Sequence, residues 1–175
     1  AGKPLSYFEG LLSVTTPVVR VMPNTPAAVG AGASALIAND ACSAADKALA
    51  GALTDAVGVS VWLESEDQMD AVTGVSGSGP AYVFHLIETL AAAGVAQGLP
   101  AEMAMKLAKA TVAGAGALAE TADEDPAQLR VNVTSPNGTT QAALEVLMDQ
   151  QSGLPPLVAK AVAAAAARSE ELSRG

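Results

Sequence analysis

The 175-residue sequence is short of the residues that most often carry out chemistry or hold a small fold together. Its one cysteine, Cys42, excludes an internal disulfide framework and suits a reducing compartment such as the cytoplasm. No histidine or lysine stands beside it to depress its pKa, so it does not read as a nucleophile. The one histidine, His85, falls inside a helical pattern three residues after Tyr82 and reads as structural or solvent-facing. No set of His, Cys, Asp and Glu has zinc-like spacing, so no metal site is expected. Basic residues number nine against 18 acidic, a net charge of −9 with a pI near 4.4, which argues against a nucleic-acid partner.

Leader and membrane patterns are missing as well. The start lacks a basic-then-apolar signal pattern. Residues 21–39 are uncharged, but Pro23, Asn24, Pro26, Gly30, Gly32 and Asn39 exclude a membrane span. The Gly-rich run Ser76-Gly77-Ser78-Gly79-Pro80 fits neither a phosphate loop nor a nucleophile elbow, because a helical run precedes it. It reads as a break that lets another molecule approach the backbone. The dinucleotide fingerprint G-x-G-x-x-G is also absent. With no acid–base pair, nucleophile or metal, any chemistry falls to a bound cofactor.

What is present is apolar and small. Half of the residues are hydrophobic and only 3% aromatic, so the core is built from Ala, Val, Leu and Met. Such side chains bury little area each, and partner subunits are expected. Residues 18–22, 32–38 and 57–63 read as strands. Residues 43–56 between the last two read as a helix capped by Ser43, with Ala45, Leu49, Leu53 and Val57 as its apolar stripe. From Glu64 the pattern is nearly continuous helix: 68–75, 81–93, 101–122, a short turn of helix through Leu129, then one to Met148 and one over 155–172. Gly114 and Gly116 inside the long helix imply that another backbone passes close there, since each costs about 1 kcal/mol against Ala. Asp123, Glu124 and Asp125 before Pro126 read as solvated charge rather than a general acid.

Residues 134–140, Thr-Ser-Pro-Asn-Gly-Thr-Thr, are the stretch richest in information. Pro136 sets its own φ, and Asn137-Gly138 tolerates left-handed backbone before a helix starts. The amides of Gly138, Thr139, Thr140 and Gln141 would then point outward at a helix N-terminus that favours an anion. Two readings fit: a pocket for a small carboxylate substrate with Thr140 at the reacting group, or an ordinary capped helix start.

Three segments narrow the choice: Val-Val-Arg-Val-Met-Pro-Asn-Thr-Pro over 18–26, Asp-Ala-Val-Thr-Gly-Val-Ser-Gly-Ser-Gly-Pro-Ala-Tyr over 70–82, and Gln-Leu-Arg-Val-Asn-Val-Thr-Ser-Pro-Asn-Gly-Thr-Thr over 128–140. In order and spacing they closely resemble the pyrroline-5-carboxylate reductases, which make the last step of proline biosynthesis. The resemblance implies the closing α/β part of a Rossmann domain over 1–63 and an all-α dimerisation domain over 64–175, with the first Rossmann strands and the nucleotide loop outside this sequence. It implies NADPH or NADH as cofactor, a homodimer with decamers in some members, and NAD(P)H-dependent reduction of 1-pyrroline-5-carboxylate to L-proline. Met22, Pro23, Asn24, Thr25 and Thr73 match positions at the nicotinamide. Asn132, Ser135, Gly138, Thr139 and Thr140 match the substrate loop, with the Thr140 hydroxyl on the ring nitrogen. Two positions depart from the pattern: Asn137 stands where Gly is frequent, and Val131 where Asp is. Alternative expectations are a non-catalytic helical dimerisation module and another imine or 2-hydroxy-acid reductase. The 175 residues alone are expected to be inactive.

Overall fold

A computed structural model of the chain describes residues 2–174; Ala1 and Gly175, the outer limits of the two expected domains, lie outside the described residues. Three strands form one sheet in the order β1-β2-β3, with β1 Val19–Met22, β2 Gly32–Ala38 and β3 Gly58–Trp62. β1 runs antiparallel to β2 with Val19 opposite Ala38, and β3 runs parallel to β2 with Gly32 opposite Gly58. The central position of β2 explains its sequence: Ala35, Leu36 and Ile37 are all buried, so an unbroken apolar run serves where an edge strand would alternate.

Helix α2, Ala44–Asp55, makes the parallel crossover between β2 and β3. It begins as the sequence requires: the Ser43 hydroxyl accepts from the Asp46 amide, and the Asp46 carboxylate accepts from the Ser43 amide at 2.9 Å. Its orientation differs from expectation. Leu49 and Leu53 are 63% and 67% exposed, and the inward contacts come from small residues instead. Gly51 is buried near the Trp62 indole, and the Thr54 and Ser60 hydroxyls lie 2.5 Å apart. Small side chains allow the close approach to the sheet, and the larger stripe is left on the outside.

A helix with no counterpart in the sequence reading, α1 Leu5–Leu11, completes this core, in which Leu5, Ile37 and Met69 pack with Val18, Met22 and Leu63 around them. Glu66 ties the parts together, accepting from the Leu5 amide at 2.8 Å and from Arg20 at 2.7 Å.

The expected helix over 68–75 divides into α3 Gln68–Val72 and a π turn, Thr73–Gly77, closed by the Ser78 amide donating to the Thr73 carbonyl. The Gly-rich run is therefore wound rather than broken, and α4 Gly79–Ala96 follows it directly. The remaining helices are α5 Ala101–Thr121, α6 Pro126–Asn132, α7 Thr139–Leu147 and α8 Leu154–Arg174. Pro100 precedes α5 as its N-cap, and the helix starts at Ala101 as the sequence pattern implies. Asp125 caps α6 by accepting from the Gln128 amide at 2.8 Å, which gives the acidic turn a structural use.

The chain forms two compact units, one of residues 1–80 with 159–175 and the other of residues 81–158. In the first, α8 crosses the α3–π segment at Gly74, where a Cβ would sit 2.8 Å from the Val162 carbonyl oxygen. The buried Ser169 hydroxyl donates to Asp70 at 2.6 Å in the same contact. In the second, α4 approaches α5 at Gly94, where a Cβ would lie 3.3 Å from the Cβ of Ala104, and Ala91 and Ala108 are buried as well. A Cβ at Gly114 or Gly116 would meet nothing within 4 Å, so among the described residues no other backbone passes close there. The order read from the sequence, an α/β part followed by an all-α part, is the order the chain adopts.

Candidate functional site

The residues singled out from the sequence fall into two groups, one in each unit. In the first unit, β1 ends at Met22 and runs into Pro23-Asn24, which open a 3₁₀ turn over Thr25–Val29. Met22 and Asn24 are half-buried, whereas Pro23 and Thr25 are exposed. Asn24 holds the N-cap position, yet its side chain caps nothing in its own turn. Its Oδ1 accepts from the Ala33 amide at 2.9 Å, and its Nδ2 donates to the Ser76 carbonyl at 3.2 Å. Thr73 is likewise committed, donating its hydroxyl to the Met69 carbonyl at 2.9 Å. Beside these residues a cavity of about 410 Å³ is walled by Ala33, Ala35, Val61, Leu63, Val72 and Val75, with Ser34 and Ser76 among its polar lining residues.

In the second unit, α6 ends at Asn132, whose Oδ1 accepts from Gln128 at 2.7 Å. The chain then turns through residues 133–138 into α7. Asn137 has φ 59°, the left-handed conformation that asparagine tolerates, so the turn survives without a glycine there. Gly138 is extended and is the N-cap of α7, offering no side chain to the helix start. One expected donor is already used: the Gly138 amide binds the Ser135 carbonyl at 3.0 Å. Thr139, Thr140 and Gln141 supply the first helical amides, and Thr140 is half-buried while Thr139, Ser135 and Asn132 are exposed.

Gln141 has a role the sequence reading overlooked. Its Oε1 accepts from the Asn137 amide at 2.8 Å, and its Nε2 donates to Glu145 at 3.2 Å, which holds the left-handed residue in place. The signal was present, since a Gln at the third helical position is a residue that reaches back over a helix start. Val131 is 56% exposed and lines a groove of about 440 Å³ with Arg130, Thr134, Gln141 and Leu144. His85 lies on the exposed side of α4 beside Glu88 at 3.1 Å, and Cys42 donates weakly to the Val18 carbonyl. Among the described residues no cluster of His, Cys, Asp or Glu could hold a metal ion, and no helix is long and apolar enough to cross a membrane.

The arrangement describes a helical unit with a helix start that no side chain caps, and an α/β unit with a loop and π turn beside an apolar cavity. Comparison with known proteins gives this class its family. Residues 66–172 match the family described as pyrroline-5-carboxylate reductase dimerisation. The pyrroline-5-carboxylate reductase of Pseudomonas aeruginosa is 49% identical over 173 residues, 99% of this chain and 63% of that protein. Among solved structures, a pyrroline-5-carboxylate reductase from Coxiella burnetii superposes with a TM-score of 0.94 at 42% identity, covering 99% of this chain and 63% of that one. The Plasmodium falciparum enzyme, crystallised with NADP bound, gives 0.85 at 32% identity over 98% of this chain and 64% of its own. The chain belongs to the pyrroline-5-carboxylate reductase family, and it spans somewhat under two thirds of the length of these relatives.

Proposed function

We propose that the protein to which this chain belongs reduces 1-pyrroline-5-carboxylate to L-proline with NADPH or NADH. The observation that carries this reading is the start of α7. There the Asn137 turn and an extended Gly138 present consecutive amides without a side-chain cap, inside a family whose name states the substrate.

In this reading the amides of Thr139, Thr140 and Gln141 hold the substrate carboxylate, favoured by the positive end of the helix. The Thr140 hydroxyl bonds the ring nitrogen, while Asn132 and Ser135 shape the approach. Met22, Pro23, Asn24, Thr25 and Thr73 form the wall beside the nicotinamide. The apolar cavity of about 410 Å³ is lined by Ala33 and Ser76, the two residues that Asn24 binds, and has room for a flat ring; the residues that would grip the pyrophosphate are not among these 175, so the reading concerns the ring end only. A nicotinamide nucleotide, when bound, supplies a hydride from its C4. The chain's own part is orientation: a protonated cyclic imine is a good electrophile, and holding it at the right face supplies much of the rate.

The proposed domain division is the end of a Rossmann domain over 1–63 and a dimerisation domain over 64–175. A homodimer is supported by the apolar surface of the second unit, where Phe84, Leu107, Leu118 and Val146 are each more than half exposed. A cytoplasmic setting is supported by the single free thiol, Cys42.

The test is turnover by the purified complete protein. Oxidation of NADPH or NADH that depends on 1-pyrroline-5-carboxylate and yields proline supports the reading. Preference for an acyclic imine or a 2-oxo acid overturns it, and binding of neither nucleotide leaves a dimerisation module.

A further inference from the structure

The loop after β1 and the π turn after α3 are far apart in sequence, yet Asn24 and Ser76 join them across 52 positions. Asparagine at an N-cap position ordinarily accepts from its own helix start, and Asn24 does not. Both ends of its amide are used elsewhere, Oδ1 on the Ala33 amide and Nδ2 on the Ser76 carbonyl. The same two segments touch a second time, where a Cβ on Gly77 would lie 2.7 Å from the Met22 Cε. A π turn is suited to this use, because its wider winding displaces backbone groups from the regular helical ladder.

From this geometry we infer that Asn24 is a positioning residue: it locks the loop over Met22–Asn24 to the π turn, so that both walls of the nicotinamide site move as one body. Asn24 therefore acts through Ser76 and Ala33, and its side chain does not bind the cofactor. The inference rests on the proposed function for its consequence and on the two hydrogen bonds for its cause.

Two variants of the complete protein separate the bonds. In Asn24→Asp the carboxylate still accepts from Ala33 but has no proton for Ser76; in Asn24→Ala both bonds are lost. Hydrogen exchange should accelerate by about tenfold over residues 73–78 in both variants, the scale of one lost hydrogen bond. It should accelerate at Ala33 only in Asn24→Ala. In kinetics, kcat should fall and the KM of the nicotinamide cofactor should rise, with the KM of the imine unchanged, because the imine is held in the other unit. Unchanged exchange over 73–78 in Asn24→Asp overturns the coupling. An equal rise in both KM values, with uniformly faster exchange, overturns it too by showing general destabilisation. If the unsubstituted protein binds no nicotinamide nucleotide, the functional reading fails, and exchange alone decides the coupling.

Discussion

Thr140 has a hydroxyl at the second position of α7, half-buried beside the amides proposed to hold a carboxylate. If the proposed activity holds, Thr140→Ala in the complete protein should lower kcat/KM about tenfold or more, since a hydrogen bond to a charged group contributes roughly 1.5–3 kcal/mol. Steady-state kinetics on pyrroline-5-carboxylate checks this, and unchanged constants would remove Thr140 from the mechanism. Asn137 tests the turn itself. Asn137→Gly should bind substrate normally, whereas Asn137→Val should lose about 1–2 kcal/mol, because a β-branched residue resists φ near 59°. Thermal denaturation and the substrate KM read both variants. Two aspartates link residue chemistry to pH. Asp46, half-buried, and Asp149, exposed, have pKa values lowered chiefly by hydrogen bonds from the Ser43 and Ser152 side chains. Each folded pKa lies below its unfolded value, so the stability they contribute is complete above the unfolded value. It disappears as pH falls through the folded one. Acid titration followed by circular dichroism should show Ser43→Ala to be weaker than the parent at neutral pH, with a difference that narrows in acid but does not vanish, because the bond from the Asp46 amide to the Ser43 hydroxyl is lost at every pH.

At the level of elements, what local chemistry could specify was readable in advance. β2 occupies Gly32–Ala38, the span its apolar run marks, and α2 begins after Ser43 because the capping box admits no other register. The turn before α7 was equally legible, since Asn137 and Gly138 restrict the backbone through their own covalent structure. Contacts between distant segments were not. Nothing near Leu49 or Leu53 announces that α2 meets the sheet through Gly51 and Thr54. The winding of residues 73–77 into a π turn likewise depends on what packs on it. The crossing of α8 at Gly74 gives a prediction at this scale. Gly74→Ala places a methyl 2.8 Å from the Val162 carbonyl oxygen and should cost about 1–3 kcal/mol by forcing α8 away. Urea denaturation measures the loss. Val162→Ala would leave it largely uncorrected, because the obstruction is backbone.

For the whole molecule, the decisive feature is how little the helical unit buries. Among its described residues the only buried hydrophobic side chains are the alanines at 91, 104 and 108, while leucines at 107, 118 and 157 remain more than half exposed. Each such leucine, when covered, contributes roughly 1.5–3 kcal/mol, so association is the expected resting state. Sedimentation of the complete protein should give a dimer or larger, and Leu107→Asp with Leu118→Asp should shift it toward monomer. The 175 residues expressed alone should show no NADPH-dependent turnover, since they hold no pyrophosphate-binding glycine loop; measurable turnover would refute this. Composition and motif order by themselves determined the α/β-then-helical order, the Ser43 cap, the left-handed turn and the family, because these are written in neighbouring residues and short motifs. Tertiary structure alone decided that Asn24 spends its amide on Ser76 and Ala33, that α2 turns its leucines outward, and that Gly74 receives α8. Those outcomes are set by which distant surfaces fit together, and no short stretch of chain contains both sides of such a contact.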